Sequence, residues 1–347
     1  MPARRFPPLD LTGGRVELGH GAGGRAMTQL VREIFVAVFD SDALARGDDN
    51  ARVPVPPGRL VMTTDGYVIT PRRFPGGDIG ALAVHGTIND VAMSGAQPLY
   101  LSAGFIVEEG LPLAELAWVA GTMAGAAREA GVAIVTGDTK VVERGGCDGL
   151  FITTTGVGVL TDDRLDIAGD RARPGDAVVL SGTVGDHGVA VLSQRENLAF
   201  ESPVLSDSAA LNGLVAAMVA AVPELRAMRD PTRGGLAATL NELADQSGVG
   251  MVIEEAAVPV TPAVRGACEL LGLDPLTVAN EGKLVAICPP GRADDLVAAM
   301  RAHPLGREAA RIGTVIEDAD RLVQLETALG GRRVVDWLAG EQLPRIC

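Results

Sequence analysis

Apolar positions along this 347-residue chain recur with a helical period in some stretches and as short strand-like runs in others. Residues 1–25 are rich in Pro and Gly and read as a loop-forming arm, after which Met27, Leu30, Val31, Ile34, Phe35 and Val38 share one helical face. The pattern next predicts a strand over 59–64, a helix from Asp78 to about Gly95, a strand over 99–107 and a helix from Pro112 to about Ala130. Strands over 132–137 and 150–159 follow. A polar, charged run at 161–176 interrupts the pattern, and a second series begins with an apolar strand at 177–182. It predicts helices near 206–220, 234–247, 261–271 and 291–302, and strands near 250–254, 283–288 and 311–316. The alternation predicts an α/β (α+β) fold in two domains. The expected divisions are an arm and helix at 1–43, an N-terminal domain at 44–165, a C-terminal domain at 166–336 and a tail at 337–347. Pro344 restricts that tail, no helical period runs through it, and its last residue is a thiol.

Composition narrows the picture. A chain of this length exceeds one ordinary core, in keeping with two domains. Aromatic residues are only 3% while apolar residues are 47%, so Ala, Val, Leu and Ile must build the interior, and 44 glycines supply turns and close backbone approaches. A formal net charge of −14 repels nucleic acid and anionic membranes, so neither is expected as a partner, and a phosphate ligand needs local donors or a metal ion. The cysteines at 147, 268, 288 and 347 have no C-x-x-C spacing, which argues against structural zinc and for a reducing compartment. Cys268 and Cys288 read as small core residues and Cys147 as an incidental loop residue. No apolar leader or membrane-length run is present in the sequence, and a cytoplasmic location is the expectation.

Four aspartates sit in turn or helix-start contexts: Asp49 in GDDNAR, Asp65 in TTDGY, Asp90 in the pair Asn89-Asp90, and Asp230 in RDPTRGG. Carboxylates brought together from separate loops suit Mg²⁺ shared with a nucleotide triphosphate, although each alone equally suits a turn or helix cap. Asp90 stands apart, because it interrupts a helical pattern of small and apolar neighbours where Asp is a poor helix former. Gly21, Gly23 and Gly24 in GHGAGGRAM precede a helix and could turn backbone N–H groups toward phosphate, without the G-K-[ST] ending of a P-loop. Gly76 and Gly77 in FPGGDIG form a second such run. Lys140 in TGDTKV and Glu281 in ANEGKL lie at strand ends, where α/β sites form and where solvated loop charges are also common.

The segments TTDGYVITPRRFPGGDIG, HGTINDVAMSGAQP, AIVTGDTKVVERG, LSGTVGDHG, RDPTRGG, ANEGK and the terminal PRIC, in that order, resemble the HypE family of hydrogenase maturation factors over nearly the whole chain. That family is similar in turn to aminoimidazole ribonucleotide synthetase, selenophosphate synthetase and thiamine-monophosphate kinase. The resemblance implies a two-domain ATP-binding fold and a homodimer formed through the N-terminal domain. The terminal Pro-Arg-Ile-Cys separates this reading from selenophosphate synthetase, which would need a reactive Cys or selenocysteine in the N-terminal glycine-rich segment. The resemblance further implies that a carbamoyltransferase, HypF, loads Cys347 with a carbamoyl group. ATP-driven dehydration would then give a thiocyanate, whose nitrile passes to iron on a HypC–HypD complex as a cyanide ligand of a [NiFe] centre. It places Asp49, Asp65, Asp90 and Asp230 on Mg²⁺ and ATP, puts Asn89 and the glycines at the nucleotide, and sets Lys140 and Glu281 beside the reacting tail. Two other readings stay open at this stage. A small-molecule ATP-dependent synthetase or kinase would need no Cys347, and a non-catalytic scaffold would use the tail only for docking.

Overall fold

A computed structural model describes residues 7–198, 203–337, 340 and 345–347. The basic start of the arm and residues 341–344 of the expected tail lie outside the described residues. The arm leads into α1 (Arg25–Leu30), which continues through a π-type turn (Val31–Val36) into α2 (Ala37–Phe39), and α3 (Asp42–Arg46) follows. The single helix expected near 27–39 is therefore continuous but widened in its middle.

The first sheet contains β1 (Arg59–Tyr67), β4 (Gln97–Glu108), β5 (Ala133–Val142) and β6 (Leu150–Leu160), in the order β1-β6-β4-β5. Only the β4–β5 pair is parallel. Between β1 and β4 lie a hairpin of β2 (Arg73–Phe74) and β3 (Gly77–Asp78) and the helix α4 (Ile79–Ala92); α5 (Leu113–Ala130) joins β4 to β5. Alternation along the strands makes this sheet two-faced. Leu101, Ala103, Phe105 and Val107 turn inward into a core shared with Leu82 and Ile88 of α4 and with Leu116 and Val119 of α5. Ile106 points the other way, and Leu60 and Met62 of β1 are 65% and 71% exposed.

Asp78 starts α4 because its Oδ1 accepts the N–H groups of Gly80 and Ala81 at 2.7 and 3.0 Å, two donors the first turn leaves unpaired. The helix buries more than one stripe. Its early turns face the first sheet, and Ala92 with the following Met93 packs into the second unit.

The second unit holds β7 (Ala177–Leu180), β8 (Ala227–Arg229), β9 (Gly250–Glu254), β10 (Val285–Cys288), β11 (Ala310–Ile316), β12 (Val323–Glu326) and β13 (Arg332–Val334). Their order is β13-β12-β9-β11-β7-β10-β8. Among the described residues five α-helices accompany them: α6 (Asp186–Arg195), α7 (Asn212–Ala221), α8 (Gly235–Ser247), α9 (Pro262–Leu271) and α10 (Ala293–Ala302). Val178, Leu180, Val285 and Ile287 pack with Leu236, Leu240 and Leu243 of α8, while Ala177, Val179 and Ala286 pack with α7 and α10. With both faces covered, the central strands are apolar throughout, which is why they read as continuous runs. Cys268 and Cys288 are buried at 1% and 0% exposure, as expected of small core residues.

Residues 206–211 are not helical; α7 begins only at Asn212. This extended segment is pinned from outside. Ser206 N–H donates to Pro75 O at 2.8 Å, Ala209 N–H to Glu281 O at 3.4 Å, and Leu211 N–H to Asn89 Oδ1 at 2.8 Å. It runs along the junction between the two units, where the site lies.

Candidate active site

The junction gathers carboxyl groups from both units. On β1, alternation turns Thr63, Asp65 and Tyr67 toward α4: the Thr63 hydroxyl donates to Asp90 Oδ2 at 2.9 Å, and Tyr67 Oη lies 3.0 Å from Thr87 Oγ1. From the second unit come Asp230, in the loop after β8, and Glu281, in the loop before β10. Asn280, fully buried, fixes these two loops to each other. Its amide nitrogen donates to Pro231 O at 2.9 Å and Val278 O at 3.1 Å, and its oxygen accepts Gly185 N–H at 2.7 Å.

The charges act on one another across the junction. Burial pushes the Glu281 carboxyl well above the usual carboxylate range, with Asp230, Asp207 and Asp65 adding to the effect and Arg233 opposing it. Burial likewise pushes Asp230 up to about 7, helped by Asp90 and Asp65 and opposed by its own backbone N–H and by Arg229. Asp90 is raised by burial and by Asp65, against the Thr63 hydroxyl, Arg229 and Arg233. Glu281 is 3% exposed, and its Oε1 has no hydrogen-bond partner. An unpartnered buried carboxyl oxygen among other carboxylates calls for a cation or a proton. Hard oxygen donors of this kind suit Mg²⁺. Among the described residues no three His, Cys, Asp or Glu side chains stand close enough to enclose a metal by themselves, so a cation here needs ligand oxygens or water to complete its shell.

The chain terminus comes to the same place. Val68 N–H, just past the end of β1, donates to Cys347 O at 3.1 Å, and Thr70 N–H donates to Arg345 O at 3.3 Å. Ile346 is 4% exposed and joins the apolar cluster containing Tyr67, Ile69, Ile79 and Ala279, with Cys347 packed against that cluster. Val68 adjoins Tyr67, which feels the charges of Asp65, Glu281 and Asp90, so the terminal residue ends near the acidic group.

Asp65, Asp90, Asp230, Glu281 and Cys347 are thus brought to one region, whereas two expected members are not. Lys140 pairs in register with the outward-facing Ile106 and forms an exposed ion pair with Asp138 at 2.8 Å, on the face of the first sheet away from α4. Asp49 also lies on that outer face, at a cleft of about 320 Å³ lined by Tyr100, Ser102, Thr136, Thr155 and Val157. The Asn89 amide is engaged in structure: it accepts from Leu211 N–H and donates to Ala209 O at 3.0 Å and Glu281 O at 3.4 Å, so it positions Glu281.

The glycines divide similarly. Gly76, at φ +86°, turns the β2–β3 hairpin, and a Cβ there would meet Ser206 N at 2.7 Å, while one on Gly77 would meet the Phe74 ring at 2.7 Å. Both are accounted for by packing. A Cβ on Gly21 would meet Val141 N at 2.6 Å, so that glycine lets the arm lie against β5; Gly23 and Gly24 face open space.

Sequence reasoning missed Asp207 and His187. Asp207 accepts the N–H groups of Glu281 and Gly282 at 3.1 and 3.3 Å and ion-pairs with Lys283 at 3.1 Å, holding the Glu281 loop. His187 is wholly buried under the tail. The Asp186-His187-Gly188 segment was a visible signal, but only as one piece of a longer motif without a role.

Known proteins agree with this architecture. The families described as "AIR synthase related protein, N-terminal domain" and "AIR synthase related protein, C-terminal domain" match residues 47–160 and 173–325. The carbamoyl dehydratase HypE of Cupriavidus necator is 66% identical over 341 residues, covering 98% of this chain and 97% of that protein. A solved structure of a hydrogenase maturation protein HypE in complex with ATP superposes with a TM-score of 0.92 at 53% identity, over 95% of this chain and 99% of the other. A HypE–HypF complex provides a second match, with a TM-score of 0.79 at 45% identity over 89% and 99% of the two chains. With its two-domain α/β architecture and its similarity running through both domains, the chain belongs to the HypE family.

Proposed function

We propose that the chain is an ATP-dependent carbamoyl dehydratase acting on its own C-terminal cysteine. The substrate is the S-carboxamide of Cys347, and the net change is R–S–C(=O)–NH₂ + ATP → R–S–C≡N + ADP + phosphate. An amide oxygen leaves poorly, so it first accepts the γ-phosphoryl group; the oxygen then departs as phosphate while both N–H protons are lost. Glu281 is the proposed base for the nitrogen proton. Its environment makes it a stronger base than an exposed carboxylate, and the orphan Oε1 is available to accept. Asp65, Asp90 and Asp230 would hold Mg²⁺ together with phosphate oxygens, and the metal when bound neutralises triphosphate charge. Gly23 and Gly24, with open space around them, are the members of the arm that suit a phosphate contact.

The observation that carries this reading is the docked terminus: Arg345, Ile346 and Cys347 are held by their main chain at Thr70, His187 and Val68, near the junction that holds the buried Glu281 with its orphan Oε1. In this reading Asp49 and Lys140, on the outer face of the first sheet, enter a site only through a second subunit packed on that face. Lys140 would there stabilise developing charge or share the proton transfer. The exposed Leu60 and Met62 support a homodimer through the same face. HypF is the proposed source of the carbamoyl group, in line with the relative solved as a HypE–HypF complex, and a HypC–HypD complex is the proposed acceptor of the nitrile for the cyanide ligands of a [NiFe] hydrogenase. The cytoplasm is the proposed location; no described helix is long and apolar enough to cross a membrane.

Intact mass spectrometry after incubation with HypF, carbamoyl phosphate and ATP tests the proposal. The expected record is gain of one carbamoyl group on Cys347 followed by loss of one water. Glu281→Gln should retain the carbamoyl adduct and ATP binding without losing water. Loss of water in a chain lacking Cys347 would defeat the proposal.

A further inference from the structure

The docked tail is read mainly through its backbone, and one side chain connects that backbone to the loop carrying Glu281. Ile346 O lies 2.8 Å from His187 Nε2. A carbonyl can only accept, so Nε2 carries the proton. In the neutral ring Nδ1 is then an acceptor, and Ser206 Oγ, 2.8 Å away, donates to it while accepting Ser208 N–H at 3.1 Å. Burial lowers the basicity of His187, against Asp207 and the Ile346 carbonyl, which favours this neutral tautomer. Ser206 is followed directly by Asp207, whose carboxylate accepts from Glu281 N–H and Gly282 N–H. The ring is held from the side by Phe74, edge to face at 5.3 Å. A continuous chain of bonds therefore runs from Ile346 through His187 and the 206–207 segment to the Glu281 backbone.

We propose that His187 is a positioning residue that latches the C-terminal tail into its docked state and keeps that state in register with Glu281. The proposal rests on the reading that the docked tail is the reacting one. Arg195 assists, donating to Arg345 O at 2.7 Å and to Thr70 O at 2.8 Å, but it sits at the rim, whereas His187 is wholly buried beneath Ile346. The latch grips the Ile346 carbonyl and not the Cys347 side chain.

The test uses the full-length chain without partners, measuring the rate at which iodoacetamide alkylates Cys347, read by peptide mass. His187→Phe keeps a ring against Phe74 but cannot donate to Ile346. Loss of one buried hydrogen bond should raise the alkylation rate about tenfold while ATP affinity and the melting profile stay near those of the parent. His187→Gln, whose amide nitrogen can reach the Nε2 position, should return the rate toward the parent value. Where the Phe variant does not fold, His187→Asn replaces it: its shorter amide reaches toward Ser206 but not Ile346, and it too must expose Cys347. In carbamoylated protein the same variants should lower the maximal rate of water loss with the KM for ATP unchanged. An alkylation rate unchanged in the Phe or Asn variant overturns the latch, as does a Gln variant no better than Phe. A parent protein that loses no water refutes the proposed chemistry and leaves the alkylation test intact, so the two failures are distinguishable.

Discussion

Replacing Asp230 by Asn should stabilise the nucleotide-free protein above pH 7 while destroying its ability to bind Mg²⁺ and ATP. Burial, with Asp90 and Asp65 adding, pushes this carboxyl from its ordinary 3.8 up to about 7 in the folded chain. Below about pH 4 both folded and unfolded chains carry the proton, and Asp230 costs folding nothing through ionisation. Between about 4 and 7 the unfolded chain releases the proton and the folded chain keeps it, so stability falls as pH rises and levels off above the folded value. The full span corresponds to an upper limit of ~4 kcal/mol. Asp230 keeps some contact with solvent, and screening reduces the expected penalty to about 2 kcal/mol.

Asn is nearly isosteric and has no ionisation to lose, so urea unfolding between pH 5 and 8 should show a shallower decline for Asp230→Asn. The two curves should separate by about 2 kcal/mol at pH 8 and converge near pH 4. Isothermal titration with Mg·ATP on the same samples should show binding in the parent and none in the variant. Parallel pH curves, or a variant less stable than the parent at pH 8, would refute the claim that burial, with Asp90 and Asp65, disfavours the ionised Asp230 in the folded state.

Three further outcomes follow from the packing. Asn280→Ala removes three hydrogen bonds that tie the 185, 231 and 281 loops, and should cost about 3 kcal/mol in chemical denaturation and lower water loss from the carbamoylated tail. Gly86→Ala places a Cβ 2.5 Å from the buried Tyr67 hydroxyl, which is bonded to Thr87, and should lower stability by about 1–3 kcal/mol in thermal melts, whereas Gly121→Ala, with nothing within 4 Å, should not. Met62→Glu on the exposed face of β1 should convert the proposed dimer to monomer in size-exclusion light scattering without lowering the monomer's own stability; an unchanged mass would remove that face as the interface.

The regular parts of this fold were legible wherever a strand or helix buries a consistent set of positions. β9, β10, α8 and α9 follow their apolar patterns within a few residues. The segment 206–211 misled, because its small and apolar residues resemble a helix start while its N–H groups are claimed by Pro75, Glu281 and Asn89. No local pattern encodes partners so distant along the chain. α6 went unread for a related reason: its Gly185 N-cap has no side chain to announce a helix, and its buried face includes His187 and Ser193, polar types that periodicity does not count. At the site, Asp90 was visible as an acidic residue where the helix pattern disfavours one. Asp207 was invisible, since nothing in VLSDSAAL marks a carboxylate that holds another loop. Asn89, expected at the nucleotide, also straps the 209–211 segment to the Glu281 loop, a use that only the partners of its amide reveal.

The acidic cluster also bears on how the two units stay together. Asp65 and Asp90 belong to the first unit, and Asp207, Asp230 and Glu281 to the second, so their repulsion acts across the junction and opposes its closure. Neutral groups hold the junction in compensation: the Asn89 amide crosses it, and so does the tail, which lies against Val68 and Thr70 on one side and His187 on the other. On the proposed reading, a cation bound between the carboxylates turns that repulsion into cohesion, because each carboxylate then interacts with opposite charge. Closure and ligand binding would be coupled by this sign change, and the terminus, itself part of the junction, would be gripped most firmly when nucleotide is present. Limited trypsin digestion after Arg345 should therefore slow when Mg·ATP is added, and the slowing should vanish in Asp230→Asn. Equal digestion rates with and without nucleotide in the parent would show that the acidic cluster and the tail are energetically independent.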